Sequence, residues 1–291
     1  MIIILIILLI FLFFLINNSY ENFTNYKKIT MPEFKKPPNW SKLGFNEKLR
    51  IYGMQLGKDY SIFADKLLVK DYIKKLNLPD LHIPKTIKIL DPSEDLNLDT
   101  LPKNCIIKSN CGSGDIIIIK NRKIELMKGR NKNLNNYKEW KNIVLKPLEW
   151  RPIVEPHYKY IKPNIFVEEY LGDNIKDYKL FCIKGKFIFC QIDSDRFKGH
   201  CRNLYDKNYN LLKFCKGKKA CQYKIDKPRN YMKMIKISKN ISKIFDFCRI
   251  DLYQINNKVY FGEITFVPGA AELSDSIRPR KYDMLVGSVW L

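Results

Sequence analysis

The chain has 291 residues, of which 46% are hydrophobic and 13% aromatic, and this apolar content excludes wholesale disorder. Its formal net charge is +22, from 52 Lys+Arg against 30 Asp+Glu, and such a balance favours anionic partners such as nucleotides, acidic sugars or membrane surfaces. A lysine-rich bias along the whole chain explains the charge equally well, and no basic helix or arginine stripe stands out, so we expect no nucleic-acid partner.

An apolar segment, Met1–Ile16, opens the chain and predicts a membrane anchor. As a helix it spans roughly 24 Å, a little less than the ~30 Å hydrocarbon core of a bilayer. No basic residue precedes it and no small-residue cleavage site follows, which favours an uncleaved anchor over a cleaved signal peptide. Lysines come after it, at 27, 28, 35 and 36. The positive-inside rule therefore predicts a single-pass membrane protein with the bulk of the chain in the cytoplasm.

Residues 17–40 are polar, end in the stiff KKPPNW, and predict a juxtamembrane tether ahead of one domain at 41–291. Apolar positions between 41 and 76 recur at helical spacing, and LPDLHIPKTIKIL then leads into a strand. A second helix carries apolar residues between Met232 and Ile244. Strand-like runs are predicted at 105–109, 115–120, 164–170, 178–184, 186–193, 249–255 and 259–266. The strands outnumber the helices and are interspersed with them along the chain. This pattern predicts an α+β fold with antiparallel sheets.

The run IIKSNCGSGDIIII, residues 106–119, places Lys108 on a β-branched strand directly before a glycine loop. Gly112 and Gly114 allow the backbone to lie against a ligand, and backbone N–H groups in such a turn can hold phosphates. Lys108 can reach the same ligand as a point charge. The loop lacks GK[ST] and leads into a strand, so it predicts a strand–loop–strand hairpin and not a Walker P-loop. An ordinary hairpin with a solvent-facing lysine is the alternative on this stretch alone.

The segment FCRIDLYQINNKVYFGEITF predicts a β-hairpin near the C-terminus. A three-residue loop at 256–258 pairs Asp251 with Glu263, whereas a two-residue loop at 256–257 is also regular turn chemistry and puts Glu263 on the opposite face. We expect the three-residue loop. On one face it brings together six side chains: Arg249, Asp251, Tyr253, Phe261, Glu263 and Thr265.

Directly opposed carboxylates in a sheet repel each other, so the pairing of Asp251 with Glu263 requires a bridging cation. Mg²⁺ takes oxygen ligands and is usually held by one or two carboxylates together with substrate phosphates. The hairpin therefore indicates a magnesium site. Zinc-ligand spacing is absent, because the eight cysteines form no CxxC pair and the three histidines lie far apart. We expect disulfides only if the domain faces an oxidising space.

The middle segment, NIFVEEYLGDNIKDYKLFCI, predicts a strand that ends in acidic residues, a break at Gly172 and a new strand from Asp177. Such a strand end can line an adenine and its ribose, although acids at strand ends are common. In QIDSDRFKGHCRNLYD, Arg196 and Arg202 can clamp a carboxylate or a phosphate. The DSD triplet at 193–195 also matches the DxD metal motif of glycosyltransferases.

Taken in order, these motifs resemble the ATP-grasp superfamily: Asp65-Lys66 before a helix, Lys108 before a glycine hairpin, VEEYL, and then RID followed by GEIT. More closely, the chain is similar to the TupA-like ATP-grasp proteins, which are named for a teichuronopeptide-synthesis protein. The resemblance runs from about residue 45 to the C-terminus. The stretches that carry it are ADKLLVKDYI, PNIFVEEYL, KDYKLFCIKGKFIF, DRFKGHCRNLYD, FDFCRIDLY, YFGEITFVPGA and YDMLVGSVWL.

The resemblance implies an ATP-grasp fold in which two α+β subdomains, about 103–171 and about 175–291, clamp ATP between their sheets. It implies these nucleotide-binding residues: Lys66 and Lys108, the flap Gly112, Ser113 and Gly114, the adenine hinge Glu168, Glu169, Tyr170 and Leu171, then Asp177 and Lys179.

By the same resemblance Asp251 and Glu263 hold Mg²⁺, and Arg249 faces the transferred phosphoryl group. Thr265 stands where many ATP-grasp enzymes have asparagine, and its hydroxyl is a weaker metal partner, although threonine is usual in the TupA-like group. The set expected at the reacting groups is Arg249, Lys108, Arg196 and Arg202.

The function implied is an ATP- and Mg²⁺-dependent carboxylate–amine ligase that acts through an acyl phosphate. By analogy its substrate is a surface polysaccharide or a sugar acid, and the membrane is a further partner through residues 1–16. The alternative is a membrane-anchored glycosyltransferase with a metal at Asp193 and Asp195. A nucleotide-binding protein without catalytic activity is a third class.

Overall fold

The structure is a computed structural model that describes residues 29–130, 132–146, 153–173, 175–194 and 200–291. The α-helices are α1 Phe45–Met54, α2 Lys58–Ala64, α3 Val69–Lys75, α4 Tyr137–Val144, α5 Tyr231–Ile241 and α6 Arg280–Ser288. The strands are β1 Leu81–His82, β2 Thr86–Leu90, β3 Cys105–Ser109, β4 Ile116–Lys120, β5 Lys123–Gly129, β6 Lys132–Asn133, β7 Ile165–Glu169, β8 Asp177–Ile183, β9 Lys186–Ser194, β10 Cys201–Tyr205, β11 Cys215–Lys216, β12 Cys248–Ile255, β13 Lys258–Thr265 and β14 Ile277–Arg278. Short 3-10 helices occupy Trp40–Lys42, Leu98–Thr100, Pro156–Tyr160, Ser242–Ile244, Pro268–Ala271 and Leu273–Asp275.

Two six-stranded sheets form the framework of the protein. The hairpin sheet has the strand order β1-β13-β12-β8-β9-β10, and the glycine-loop sheet has the order β2-β7-β3-β4-β5-β6. Neighbouring strands run antiparallel, except that β1 is parallel to β13. β11 and β14 form a small separate sheet. The predicted α+β fold is confirmed, and the one parallel pair makes the hairpin sheet mixed.

The glycine-loop hairpin has the predicted form, with β3 and β4 antiparallel and Lys108 opposite Ile116. Alternate residues of β3 point to opposite faces of the sheet. Cys105 and Ile107 are fully buried against Trp140 of α4. Lys108 lies on the other, half-buried face. The apolar run is therefore a two-faced strand, with one face in the core and one face available to a ligand.

The turn of the C-terminal hairpin differs from the prediction. Ile255 pairs directly with Lys258, so the loop contains two residues, Asn256 and Asn257. Both have a positive φ, 45° and 63°, as the two central residues of a type I′ hairpin turn require. The prediction of a three-residue loop was therefore wrong, because asparagine tolerates the left-handed conformation that the two-residue turn requires.

A β-bulge at Gly262 restores the predicted pairing of the acids. Leu252 pairs with Phe261, but the next residue of β12, Asp251, pairs with Glu263, so Gly262 is the extra residue on β13. One bulged residue shifts the register by one position and so reverses the effect of the shorter turn. Asp251 and Glu263 share a face as predicted. Phe261 does not join them and lies in the core on the other face, 1% exposed.

An aromatic cluster joins the first and last described segments of the domain. The ring centroids of Phe34 and Trp40 lie 5.0 Å apart, those of Trp40 and Trp290 5.3 Å, and those of Tyr52 and Trp290 5.4 Å. Residues 33–291 form one compact unit. The tether predicted at 17–40 thus contributes its last residues to the core, and residues 17–28 lie outside the described part of the chain.

The predicted single-pass membrane location is corrected by the structure. Across the described ranges, no helix combines the length and the apolar character that crossing a bilayer requires. The segment predicted as the anchor, residues 1–16, lies outside those ranges.

One disulfide is present, between Cys201 at the start of β10 and Cys221. The other six cysteines form no disulfide, and all of them except Cys215 are buried, as expected for small apolar side chains. The disulfide ties the chain after β11 to the strand that carries Arg202.

Candidate active site

The lysine of the glycine-loop hairpin is bound by a buried carboxylate. Lys108 Nζ pairs with Glu168 Oε1, and Lys70 Nζ lies 2.7 Å from Glu168 Oε2. Lys70 also donates to Pro84 O and Thr86 Oγ1, both at 2.8 Å. Burial would raise the pKa of Glu168, but Lys108 and Lys70 hold it below its ordinary value. Lys70 is occupied by these three contacts within the protein, whereas Lys108 keeps 20% of its side chain exposed and can reach a ligand.

Lys66 connects the glycine loop with the acidic hairpin. Its Nζ donates to Gly112 O at 2.6 Å and lies 3.4 Å from Glu263 Oε2. Its backbone N–H donates to Asn110 O at 2.9 Å. Asp65 in turn accepts a hydrogen bond of 2.7 Å from Asn110 Nδ2, so the Asp65-Lys66 turn is fastened to the loop through both its side chains and its backbone.

The glycine loop requires glycine at two positions for different reasons. A Cβ on Gly112 would collide with the Asp115 side chain, whose Oδ1 accepts a 2.7 Å hydrogen bond from Arg130 N. Gly114 has a φ of 75°, in the region that side chains disfavour. Ser113 lies between them at the tip of the loop.

Arg249 binds the acids of the hairpin. Its Nε lies 2.6 Å from Asp251 Oδ1, and its Nη2 lies 2.7 Å from Asp251 Oδ2 and 3.1 Å from Glu263 Oε1. Nη2 also donates to Thr265 Oγ1 at 3.0 Å, and that hydroxyl donates to Glu263 Oε1 at 3.1 Å. All four side chains therefore meet on one face, as the register of β12 and β13 requires.

A row of polar side chains continues from the hairpin across the sheet. Glu263 on β13 pairs with Asp251 on β12, Asp251 with Lys179 on β8, and Lys179 with Gln191 on β9. Lys179 Nζ lies 2.5 Å from Asp251 Oδ2 and also pairs with Asp177. Directly opposed residues share a face of the sheet, so this row crosses four strands on the site face.

The two hairpin acids titrate in opposite directions. Burial raises the pKa of Asp251 to about 6, against the opposing charges of Arg249 and Lys179. Burial also acts on Glu263, but the cations of Lys66, Arg249 and Lys179 outweigh it and lower the pKa of Glu263 to about 2. Glu263, whose side chain is 30% exposed, is thus the anionic group that the site offers to solvent.

Tyr253 lies within electrostatic reach of acids from both sheets. Burial and the carboxylates of Asp177, Glu263, Asp251 and Glu168 raise the pKa of Tyr253. Glu168 belongs to the glycine-loop sheet and the other three acids to the hairpin sheet. Lys66, which contacts both Gly112 O and Glu263, joins the glycine loop to the hairpin acids.

The donor atoms of this site fit Mg²⁺. Asp251 and Glu263 supply only carboxylate oxygens, and Mg²⁺ binds through a few carboxylates while substrate phosphates complete its shell. Within the described ranges, no group of three or more His, Cys, Asp or Glu is arranged to hold an ion by itself. Two carboxylates would therefore leave most of the Mg²⁺ coordination shell to ligands from outside the protein.

A comparison with protein families matches residues 47–291 to the TupA-like ATP-grasp family. This chain belongs to that family. The match begins within α1 and includes every later element, and it confirms the resemblance that the order of the motifs indicated. A search of curated proteins finds no match.

Among solved structures, this TupA-like ATP-grasp protein is similar to D-alanine–D-alanine ligase from Bacillus anthracis complexed with ATP, at 17% identity and a TM-score of 0.41, covering 72% of this chain and 56% of that one. The D-alanine–D-alanine ligase from Helicobacter pylori is 19% identical with a TM-score of 0.38, and the match covers 79% of this chain and 61% of that one. N5-carboxyaminoimidazole synthetase from Staphylococcus aureus complexed with ADP is 15% identical with a TM-score of 0.40, and the match covers 77% of this chain and 51% of that one. The chain thus spans less than two thirds of each relative, and the family assignment stands on the family match.

Most of the predicted site residues divide into three groups, and Arg202 belongs to a separate cluster. Those that meet around the hairpin acids and Lys108 are Lys66, Lys108, Gly112, Glu168, Asp177, Lys179, Arg249, Asp251, Glu263 and Thr265. Two residues of the predicted hinge make other contacts: Glu169 Oε1 accepts from Lys85 N, and the Tyr170 hydroxyl pairs with Asp173. Leu171 follows them before Gly172. Arg196 and Asp195 lie outside the described residues.

Asp193 and Arg202 form a second cluster at the far end of the polar row. Arg202 Nε lies 2.6 Å from Asp193 Oδ1, which also lies 3.2 Å from His200 Nε2. Gln191 Nε2 donates to Asp193 Oδ2 at 3.0 Å. Asp193 is thus bound by an arginine and an amide, and family membership does not favour the glycosyltransferase alternative, which needs this acid for a metal.

Sequence reasoning missed three residues that shape the site. They are the buried Lys70 and Lys216 and the half-buried Asp275, and all three contact predicted residues. Lys216 and Asp275 contact each other across 59 positions of sequence, and Lys70 contacts Glu168 across 98. Of the three, Lys70 alone lies close in sequence to a predicted residue, four positions after Lys66, and it belongs to α3.

Proposed function

We propose that this TupA-like ATP-grasp protein is an ATP- and Mg²⁺-dependent carboxylate–amine ligase that acts through an acyl phosphate. The observation that carries the proposal is the position of Lys66, whose Nζ contacts both the glycine loop at Gly112 O and the hairpin acid Glu263. A cation between a phosphate-binding loop and a pair of carboxylates is placed for a metal-bound polyphosphate.

The proposed reaction has two steps. A carboxylate oxygen of the first substrate attacks the γ-phosphorus of ATP, the bond from that phosphorus to the β–γ bridging oxygen breaks, and ADP leaves. The nitrogen of an amine then attacks the acyl carbon, the bond from carbon to the phosphate oxygen breaks, and inorganic phosphate leaves while the nitrogen loses a proton. The balance is one ATP consumed for one amide formed.

The residues of the chain would act by positioning and by neutralising charge. We assign Lys66, Lys108 and the loop Gly112–Gly114 to the phosphates, the segment from Glu168 to Leu171 to the adenine, and Asp177 and Lys179 to the neighbouring ribose. Arg249 would contact the transferred phosphoryl group.

Asp251, Glu263 and the weaker donor Thr265 would hold Mg²⁺. The ion supplies neutralisation of the phosphate charge and orientation of the phosphoryl group. Arg249 and Lys179, which pair with these acids in the protein alone, keep the carboxylates oriented on one face.

The first substrate is proposed to be a sugar acid or an acidic group of a surface polysaccharide. This rests on the TupA-like family and on the cationic character of the chain, which suits an acidic glycan. Subdomains at about 103–171 and 175–291 are proposed to close on the nucleotide.

Binding and turnover test the proposal separately. Calorimetry should detect ADP binding that is at least about tenfold tighter with Mg²⁺ than with EDTA. ADP release should then be screened over pairs of carboxylates, beginning with uronic acids, and amines, beginning with amino acids. Amide formation that requires ATP supports the ligase. Mg²⁺-independent nucleotide binding, or transfer from a UDP-sugar at Asp193, would overturn it.

A further inference from the structure

Arg202, at the far end of the polar row, is held by protein contacts at two of its nitrogen atoms, Nε and Nη1. Arg202 Nε lies 2.6 Å from Asp193 Oδ1, and Nη1 lies 2.7 Å from Asp275 Oδ1 and 2.6 Å from Lys216 O. Among the described residues, Nη2 meets no acceptor. The guanidinium is therefore oriented by the protein, and the described residues leave the N–H groups of Nη2 available to a carboxylate or a phosphate.

The segments that follow β11 and β13 pack closely around Asp275, the carboxylate that orients this arginine. Gly217 and Gly269 have φ values of 69° and 62°, and a Cβ on either one would collide with the Asp275 side chain. Lys216, which is 2% exposed, donates to Asp275 O at 2.8 Å and also pairs with its carboxylate. Two glycines with positive φ angles and the buried Lys216 thus fix Asp275 next to Arg202.

A second atom beside Arg202 lacks the partner that its chemistry requires. Gln191 is 2% exposed, and its Nε2 donates to Asp193 Oδ2 at 3.0 Å. Because a carboxylate only accepts, this contact fixes the amide so that Oε1 faces away from Asp193. Oε1 is buried and meets no donor among the residues that the structure describes. A buried carbonyl oxygen of this kind is completed by a donor from a ligand.

Both atoms belong to the face that carries the hairpin acids. Gln191 pairs with Lys179 across β8 and β9, and Arg202 pairs with Asp193 across β9 and β10. Arg202 and Gln191 each contact a different oxygen of Asp193, so the free Nη2 and the unpaired Oε1 flank a single carboxylate. An anion-binding donor and a hydrogen-bond acceptor therefore stand side by side.

We propose that Arg202 and Gln191 form the subsite for one of the two substrates, and that this substrate is an anion with an N–H or O–H donor next to it. Arg202 Nη2 binds the anionic group, and Gln191 Oε1 accepts from the neighbouring donor. Asp193 and Asp275 are positioning residues that hold Arg202. The inference rests on the proposed ligase, whose reaction needs a second ligand beside the nucleotide. An amino acid and a hydroxy acid such as a uronic acid share this chemistry.

Matched probes test the subsite directly. L-glutamate and glutarate differ by the amine alone, and glucuronate and cyclohexanecarboxylate differ in the ring oxygen and the hydroxyl groups. Calorimetry on the full chain, with and without Mg²⁺ and ADP, should show that the donor-bearing member of at least one pair binds about tenfold tighter. The pair that discriminates tells an amine donor from a hydroxyl donor.

Variants separate the two contacts. Gln191→Leu should remove the preference within the pair but keep the binding of glutarate or cyclohexanecarboxylate, whereas Arg202→Gln should weaken both members about tenfold or more. Asp275→Asn should act like a mild Arg202→Gln, and Asp275→Glu should recover part of the affinity. Gln254→Leu, on the other face of the same sheet, is the matched control and should bind every probe as the unaltered protein does.

The outcomes distinguish this inference from the proposed function. If no probe binds, or if Gln191→Leu keeps the preference, the subsite is refuted, even when Mg²⁺-dependent ADP binding is normal. If ADP fails to bind while the probe preference and its loss in Gln191→Leu are observed, the ligase proposal fails and the subsite stands.

Discussion

Lys66 Nζ lies 3.4 Å from Glu263 Oε2, and this contact joins the glycine loop to the acidic hairpin. Lys66 reaches Glu263 because its Nζ also donates to Gly112 O, and because a β-bulge turns Glu263 to the face of Asp251. The ion pair therefore depends on three distant segments of sequence at once. In the presence of a nucleotide we expect a polyphosphate and its metal between these two side chains.

Replacing Glu263 should separate nucleotide binding from folding. Glu263→Gln keeps the shape of the side chain but removes the charge that the pKa of about 2 maintains at neutral pH. We expect a loss of about 100-fold in kcat/KM for ATP, the size seen when one charge-stabilising group is removed. The rate of ADP release with a productive pair of substrates measures this loss, and calorimetry measures Mg²⁺-dependent ADP binding separately. Glu272→Gln, an exposed acid on the following loop, should behave as the unaltered protein; equal losses in both variants would contradict the assignment.

The buried lysine Lys70 should matter for stability. Lys70→Met leaves Glu168 with Lys108 as its remaining cation and deprives Pro84 O and Thr86 Oγ1 of a donor. Removing one member of a buried pair costs roughly 3–5 kcal/mol of unfolding free energy. Urea denaturation measures the loss. Lys74→Met removes an exposed pair with Asp71 and should change the free energy of unfolding by less than about 1 kcal/mol. Similar effects of the two substitutions would refute a special role for Lys70.

The bulge at Gly262 should be needed to keep the hairpin acids together. A Cβ there would lie 2.9 Å from Asp251 O and 3.0 Å from the Tyr253 hydroxyl. Gly262→Ala should therefore force the strand to shift, at a cost of about 1–3 kcal/mol, and weaken Mg²⁺-dependent ADP binding more than stability alone explains. Gly57→Ala, where a Cβ meets no atom within 4 Å, is the control. Normal ADP binding by a folded Gly262→Ala protein would show that the register tolerates the side chain.

Lys216 should make stability rise with pH in the alkaline range. Burial lowers the pKa of Lys216 to about 8 from an ordinary 10.5, although Asp275 opposes the shift. Between these values the unfolded chain holds the proton that the folded chain has released, so the free energy of unfolding increases with pH. The rise from this group is on the order of 3 kcal/mol.

Urea denaturation of the unaltered protein and of Lys216→Met, from pH 7.5 to 10.5, isolates this contribution because other titrating groups are common to both proteins. The unaltered protein should gain stability relative to Lys216→Met over this window. Lys218→Met, an exposed neighbour, should run parallel to the unaltered protein. Parallel curves for Lys216→Met as well would mean that Lys216 titrates as an ordinary lysine.

The sequence by itself determined the local elements and the identity of the family. The strand–loop–strand unit at Lys108 could be predicted because β-branched runs and glycines act over a few residues. The pairing of Asp251 with Glu263 was also predicted, but for a reason that does not hold, since the expected three-residue loop is a two-residue turn whose effect Gly262 reverses. The order of motifs led to the TupA-like ATP-grasp family because family signals are spread along the whole chain.

Only the tertiary structure decided which charges meet. Lys70 binds Glu168, Lys66 binds Glu263, and Asp275 is held by Lys216 and Arg202, although each of these contacts joins segments at least 59 residues apart in the sequence. Ion pairs between distant segments follow no local periodicity; they depend on how two sheets and their loops pack. Within the part of the chain that the structure describes, the same packing left Gln191 Oε1 buried without a donor, which the residue type could not reveal.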